Sequence, residues 1–294
     1  MALIEYNLID GKVNKVEKAI ERIRSYSEIS LQLTGKPYYV AYSGGKDSDA
    51  IRILCQLADI PHELVHNHTT VDAPETVRYI RSILPLEQIH MPKRSMWDLI
   101  VHKKMPPTRI VRYCCTELKE AGGKDRFVVT GVRWEESINR KKGRSSLEIQ
   151  GSSRKNGIIL NADNDENRRL FETCMKKGKR ILNPIIDWTT AEVWEFLRHY
   201  NCKSNPLYDM GYHRVGCIGC PLARKMRIKE FQDYPKYKGL YIKAFDRMIK
   251  VNSHIGYDWK SGEEVFEWWL SDKPTPKRFD GQLSLFDYEK LSET

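Results

Sequence analysis

Tyr38-Tyr39-Val40-Ala41-Tyr42-Ser43-Gly44-Gly45-Lys46-Asp47-Ser48-Asp49-Ala50-Ile51-Arg52-Ile53-Leu54 runs from an apolar stretch through a glycine turn into a helix-forming segment. A strand that passes into a helix through two glycines aims backbone N–H groups and the positive end of a helix at one point, the geometry of an anion site. Gly44 and Gly45 let a phosphate approach the backbone closely, and Lys46 with the hydroxyls of Ser43 and Ser48 can complete the cradle. The spacing is not that of a Walker loop, which places four residues between its first glycine and the Gly-Lys-Ser/Thr.

The flanking sequence alternates in character. Residues 12–33 show helical spacing through Val13, Val16, Ile20, Ile23, Ile29 and Leu33, with Gly35 and Pro37 as stop signals. Beyond the glycine loop, strands are expected at Glu63–His66, near Gln88–Met91 and at Arg126–Gly131, with a helix from Pro74 onward between the first two. A further helix is expected over Ala191–Tyr200, with Thr189 or Thr190 as its N-cap and Glu192 in its first turn. Strands alternating with helices imply an α/β fold with a doubly wound, mainly parallel sheet, and ligands in such sheets sit at the carboxyl ends of the strands. From about residue 226 the chain becomes helical, aromatic and basic, so the expected division is 1–225 nucleotide-binding domain, 226–273 helical extension and 274–294 flexible tail. Phe231, Tyr237, Tyr241, Phe245 and Met248 are read as the packing of that extension.

At 294 residues with 40% hydrophobic content the chain can bury a substantial core. No run is long enough to span a membrane, and the first residues lack the basic start and apolar stretch of a signal peptide, so a cytoplasmic, reducing setting is expected. The seven cysteines then read as thiols, metal ligands or core residues rather than disulfides. A net charge of +10 points to polyanionic partners; residues 141–180 alone hold eleven Lys/Arg against five Asp/Glu. A solvated loop, a nucleic-acid contact and a site for a small anionic substrate all fit that segment.

Cys217-Ile218-Gly219-Cys220 is a knuckle spacing that brings two sulfurs to one metal centre, and Cys114-Cys115 is an adjacent pair about one hundred residues earlier. Adjacent cysteines seldom suit one tetrahedral zinc because the peptide splays their side chains, whereas neighbouring irons of a cube stand apart. A [4Fe–4S] cluster on Cys114, Cys115, Cys217 and Cys220 is the preferred reading, with zinc or unliganded buried thiols as alternatives. Cys55, Cys174 and Cys202 are expected to be structural, and His66 and His68, with no carboxylate assigned to them, polar surface near the nucleotide site.

Together these parts resemble the phosphoadenosine phosphosulfate (PAPS) reductase family of the PP-loop ATP-pyrophosphatase superfamily, over about residues 36–224. The parts come in family order: the PP-loop Ser43–Ser48, a degenerate Pro-Glu-Thr region at Val71–Thr76, Arg112-Tyr113-Cys114-Cys115, then Gly131-Val132-Arg133-Trp134-Glu135-Glu136-Ser137. Asn183–Thr189, Asn205–Tyr212 and Gly216–Pro221 complete the series. The resemblance implies an adenine nucleotide alpha-hydrolase-like fold. It implies that Ser43, Gly44, Gly45, Lys46, Asp47 and Ser48 bind phosphates or sulfate, that Arg133 lies close to the nucleotide, and that Lys46, Asp47 and Arg133 serve catalysis. The implied cofactors are ATP (or adenylylsulfate or PAPS), Mg2+ and a [4Fe–4S] cluster on the four paired cysteines, as in the cluster-bearing branch with the adenylylsulfate reductases.

Sulfonucleotide reductases use a catalytic cysteine in a Glu-Cys-Gly-like segment near the C-terminus, and no cysteine follows Cys220 here. Without that thiolate, no protein sulfur is placed to attack the sulfate. The ATPase component of DNA phosphorothioation systems shares the fold and the cysteine arrangement; its chemistry activates a nucleic-acid oxygen with ATP before sulfur is inserted, which suits the basic charge. The expected function is therefore ATP-dependent, AMP- and pyrophosphate-forming sulfur chemistry on nucleic acid. Sulfonucleotide reduction and a non-enzymatic nucleotide-sensing subunit of a DNA-processing system are the alternatives. Finally, Gln282-Leu283-Ser284-Leu285-Phe286, beyond a Pro-rich linker, resembles the peptide with which bacterial replication and repair proteins dock on the sliding clamp. A strap packed on its own domain is the competing reading.

Overall fold

The computed structural model describes residues 3–7, 11–120, 122–137, 141, 143–151, 158–160, 178–251 and 259–271. Cys174, most of the basic stretch and the Gln282–Phe286 tail lie outside the described residues. The chain divides into two compact units: one from residues 1–68, 72–92 and 118–216, the other from 69–71, 93–117 and 217 onward.

The first unit opens with an antiparallel hairpin, β1 (Ile4–Asn7) and β2 (Gly11–Asn14), followed by α1 (Lys15–Ser25) and α2 (Ser27–Thr34). The single helix expected over 12–33 is therefore a strand and two helices. Val13 pairs with Glu5 in the hairpin, and the Asn14 side chain accepts from the Val16 amide at 3.1 Å, which starts the helix two residues after Val13. Helix α1 ends at Tyr26, where the Tyr38 hydroxyl donates to the Ile23 carbonyl at 2.8 Å, and Leu33 faces solvent.

Next come β3 (Tyr38–Ala41), α3 (Lys46–Ala58), β4 (His62–Asn67), α4 (Pro74–Arg81) and the two-residue β5 (Ile89–His90). In the second unit lies α5 (Met96–Lys103); the first resumes with β6 (Phe127–Val129), β7 (Leu147–Gly151), β8 (Ile158–Leu160), β9 (Gly178–Leu182) and α6 (Thr190–His199). The seven-stranded sheet has the order β5-β4-β3-β6-β9-β7-β8. From β5 to β9 it is parallel, with Val40 opposite both Leu64 and Val129; β7 and β8 add an antiparallel edge, Leu147 facing Leu182. The fold is thus α/β with a mainly parallel sheet, as the alternation of elements implied.

Period-two alternation divides the central strands between the two faces of the sheet. Tyr38, Val40, Phe127 and Val129 join the main core with Ala19 and Ile23 of α1, Ile51, Leu54 and Cys55 of α3, and Val193 and Phe196 of α6. Tyr39 and Val128 point to the other face, with Val65. Trp188 and Phe196 meet edge to face at 5.1 Å, an arrangement worth about 0.5–1.5 kcal/mol beyond its buried area. Of the two N-cap candidates Thr189 holds the position, and Glu192 closes a capping box with it: Thr189 Oγ1 accepts from the Glu192 amide at 3.2 Å, and Glu192 accepts from the Thr189 amide at 2.6 Å.

The second unit combines α5 with α7 (Met226–Asp233), α8 (Pro235–Val251) and α9 (Gly262–Leu270). Its core is aromatic, with Phe231, Tyr241, Phe245, Phe266 and Trp269 all buried and in ring contact. Phe231, Tyr241, Phe245 and Met248 have the packing role read for them, and Tyr237 is half-buried. No helix among the described residues is long and apolar enough to cross a membrane.

Candidate functional site

Within the first unit, the turn after β3 leads straight into the first turn of α3. Gly44 has φ +70°, and a Cβ there would come within 2.9 Å of Ile80 Cγ1, so both conformation and space require glycine. Ser48 fastens the turn from inside: its hydroxyl donates to the Gly45 carbonyl at 2.8 Å and accepts from the Gly45 amide at 3.1 Å. The exposed Ser43 hydroxyl sits 3.2 Å from the same oxygen. The Lys46 amide donates to the Tyr208 hydroxyl at 2.8 Å, and the Tyr208 ring stands edge-on to Trp194 at 4.8 Å. Asn205 holds the loop from the same side, its Nδ2 on the Gly44 carbonyl at 3.0 Å and on Thr76 Oγ1 at 3.2 Å.

Asp47 is the charged centre of this arrangement. Its Oδ2 accepts from Lys46 Nζ at 2.9 Å and its Oδ1 from Arg133 Nε at 2.7 Å. Arg133 is 2% exposed; its remaining nitrogens reach Glu135 Oε2 at 2.7 Å, the Trp188 carbonyl at 3.2 Å and Thr190 Oγ1 at 3.2 Å. The guanidinium acts as a buried clamp on Asp47. Hydrogen bonds from Thr190, and then Arg133, hold the Glu135 carboxyl below its usual range. Gly131 allows this assembly to close, since a Cβ there would lie 2.9 Å from the Asp47 backbone. Lys46, Asp47 and Arg133, expected together from sequence, are thus in contact.

Beneath the loop is a group the sequence reading did not single out. Asp49 is fully buried; its Oδ1 accepts from the Tyr42 hydroxyl at 2.6 Å, and its Oδ2 lies 3.0 Å from the Tyr79 hydroxyl. Burial pushes its carboxyl up to about 6. Tyr79 has one proton for two acceptors, Asp49 and the Lys203 carbonyl at 2.6 Å, so a protonated Asp49 satisfies all of them. Tyr79, Arg52, Cys202 and Lys203 also line a cleft of about 680 Å3. Cys55 is buried in the core, where desolvation pushes its thiol up to about 12.

The reading of His66 and His68 as polar surface without a carboxylate is corrected. His66 is 5% exposed, its Nδ1 lies 2.9 Å from the Tyr42 carbonyl, and its Nε2 has no hydrogen-bond partner among the described residues. Asp72 Oδ2 stands 3.8 Å from both His66 Nε2 and His68 Nδ1. Burial lowers the His68 pKa, which favours the neutral ring. The available signal was Asp72 itself, four residues past His68 and just before the helix-starting Pro74.

The second unit brings together the four paired cysteines. The Cys114 thiol is pushed far up, first by its hydrogen bond to Cys115, then by burial, then by the charges of Cys115, Cys217 and Cys220. Cys115, Cys217 and Cys220 each therefore lie within electrostatic reach of the Cys114 sulfur. Cys217 is buried with its Sγ 3.4 Å from Thr69 Oγ1, and the Cys220 amide donates to the Cys217 carbonyl at 3.2 Å. Among the described residues, no group of three or more His, Cys, Asp or Glu side chains is arranged to hold a single metal ion.

Comparison with known proteins follows the same lines. The chain is 26% identical over 292 residues to an uncharacterized protein of Methanocaldococcus jannaschii, a match covering 95% of this chain and 62% of that protein. It is 44% identical over 46 residues to an adenosine 5'-phosphosulfate reductase of Allochromatium vinosum, covering 16% of this chain and 18% of that one. The chain thus spans less than two thirds of the length of these curated relatives. Among solved structures, the PAPS reductase of Candida auris in its phosphate complex aligns with TM-score 0.44 and 17% identity, over 69% of this chain and 91% of that one. The family model for the phosphoadenosine phosphosulfate reductase domain matches residues 37–223, from the strand before the glycine loop to just past the second cysteine pair, and the chain belongs to that family.

Proposed function

We propose that this protein cleaves ATP between the α and β phosphates, forming AMP and pyrophosphate, in the service of sulfur chemistry on nucleic acid. The observation that carries the reading is the Lys46–Asp47–Arg133 assembly at the first turn of α3, where a cation and a clamped carboxylate flank a glycine turn. Such a site can neutralise phosphate oxygens through Lys46 and the helix terminus. Asp47, part-exposed and fixed by Arg133, would hold Mg2+ against the phosphates. Two amides suited to a phosphate, those of Gly45 and Lys46, are engaged by Ser48 and Tyr208 and would have to exchange those partners for the ligand.

Cys114, Cys115, Cys217 and Cys220 would hold the [4Fe–4S] cluster. Adjacent cysteines such as Cys114 and Cys115 suit a group whose irons stand apart better than a single tetrahedral zinc, and Cys115, Cys217 and Cys220 all act electrostatically on Cys114. Such a cluster supplies electron transfer, sulfur relay or a structural tie. The net charge of +10 supports a nucleic-acid substrate.

The test is product analysis with anaerobically prepared protein and ATP, with and without nucleic acid. AMP and pyrophosphate are expected; ADP and phosphate would sink the reading. A second reading, reduction of a sulfonucleotide, is favoured by the 44% identity to an adenosine 5'-phosphosulfate reductase over 46 residues. It predicts that adenylylsulfate is turned over to sulfite with a thiol reductant, and no turnover with intact cluster would remove it.

A further inference from the structure

The loop between Cys217 and Cys220 is held by partners that all lie within the second unit. The Ile218 amide donates to the Val71 carbonyl at 2.8 Å, and the Ile218 carbonyl accepts from the Tyr241 hydroxyl at 2.9 Å. The Gly219 amide donates to Glu230 Oε2 at 2.7 Å. Gly219 has φ +76°, and a Cβ there would stand 2.7 Å from Phe231 Cζ and 3.0 Å from both Trp269 and Tyr241. Both Ile218 backbone groups and the Gly219 amide are thus bound, and three aromatic rings crowd the Gly219 Cα.

We propose that Glu230 is the positioning residue of the knuckle, holding the Cys217–Cys220 loop in its ligating conformation before any metal arrives. Two properties single it out. It is a carboxylate at 8% exposure, and burying a carboxylate is costly unless its hydrogen bonds serve a purpose. Its bond also falls on the one residue of the loop held in the left-handed region, the residue whose rotation would redirect both cysteines. A backbone amide inside a Cys-x-x-Cys turn is the donor that otherwise serves a ligand sulfur, and Glu230 takes the Gly219 amide for itself. Prepaying the ordering of two ligands leaves less entropy to lose on metal capture.

The proposal rests on the reading that these cysteines hold a metal group but not on which one. Its test compares wild type, Glu230→Gln and Glu230→Ala in the full chain. In metal-free protein, hydrogen exchange of the peptide containing Gly219 should be slow in wild type and Glu230→Gln, which keeps an acceptor oxygen. It should be roughly 10- to 100-fold faster in Glu230→Ala. In loaded protein, anaerobic transfer of the metal to a chelator should be roughly tenfold or more faster in Glu230→Ala and restored in Glu230→Gln. An iron group in the Glu230→Ala variant should also shift in reduction potential, because the freed amide can turn to a sulfur; a purely structural role would leave the potential alone. Equal exchange and equal metal retention in all three proteins would overturn the proposal. Should wild type take up no metal, the metal reading fails by itself, and the exchange rates still decide the place of Glu230.

Discussion

The glycine loop in the first unit and the cysteine knuckle in the second are both short turns around glycines at positive φ, yet they are held in opposite ways. The glycine loop is held by polar groups that could serve a ligand equally well: the Tyr208 and Ser48 hydroxyls, Lys46 and Asp47. The knuckle is held by an aromatic wall and one buried carboxylate, together with the Val71 carbonyl and the Tyr241 hydroxyl. The difference teaches what each turn must do. On the proposed function, a loop that admits and releases an anion needs exchangeable partners, whereas a knuckle that keeps a metal group benefits from a wall.

The largest expected effect on nucleotide binding tests the polar side. Arg133→Met leaves Glu135 without its cation and Asp47 with Lys46 alone, and because both carboxylates are part-exposed the lost charged hydrogen bonds should cost about 1.5–3 kcal/mol. Denaturant unfolding should show that loss, and ATP affinity should fall by roughly tenfold or more, which is about 1.4 kcal/mol. Arg133→Lys should not rescue it, because one ammonium cannot reach Asp47, Glu135, Trp188 and Thr190 together. Full ATP affinity in the Met variant would show that the clamp does not position the site.

The wall comes next. Gly219→Ala must fit a methyl group against Phe231, Trp269 and Tyr241 at a left-handed φ, which should cost about 2–4 kcal/mol. Thermal unfolding and metal content should both drop, while ATP binding is retained. Unchanged metal content would mean that the knuckle has slack after all.

A smaller effect concerns pH. The Asp49 carboxyl is raised in the fold to about 6 from its ordinary 3.8, so the protonated form is the one folding favours. Its stabilising contribution is fully present below about pH 3.8 and is lost as pH rises through about 6. Asp49→Asn keeps an acceptor for Tyr42 and supplies a donor for Tyr79. It should remove this dependence and raise stability above pH 6, by up to about 3 kcal/mol. A variant less stable than wild type at pH 8 would show that the ionised carboxylate, with Arg52 at 3.9 Å, is what the loop requires.

The smallest expected effect is on the tail. Leu285→Ala with Phe286→Ala should leave unfolding and ATP turnover unchanged and abolish binding to a purified sliding clamp; equal clamp binding by both proteins would remove that link to DNA.

The glycine turn and the start of α6 were legible because each depends on local chemistry, glycine where φ is positive and Thr189 with Glu192 where a helix starts, whereas Lys46, Asp47 and Arg133 were grouped by the family resemblance, across 86 residues. What escaped the sequence depends on pairing across distance. The hairpin of β1 with β2 took Val13 out of a helix whose periodicity it matched, because alternation over four residues cannot outvote a longer helical pattern. The antiparallel edge β7 pairs with β9 across some thirty residues, a register that no local signal sets. Asp49 looked like one more acidic residue in a first turn, and only the convergence of Tyr42 and Tyr79 shows it to be buried. His66 lost its surface reading for the same reason, since Asp72 reaches it through a turn and not along the strand.

The hold of Tyr208 on the Lys46 amide has a practical corollary. An anion that claims that amide must dislodge the phenol, and the phenol ring is the edge against which the Trp194 indole rests. Occupancy of the glycine loop would thereby be written into the electronic surroundings of one tryptophan, giving the proposed nucleotide site its own optical gauge, with a Trp194→Phe protein as the blank against which to read it.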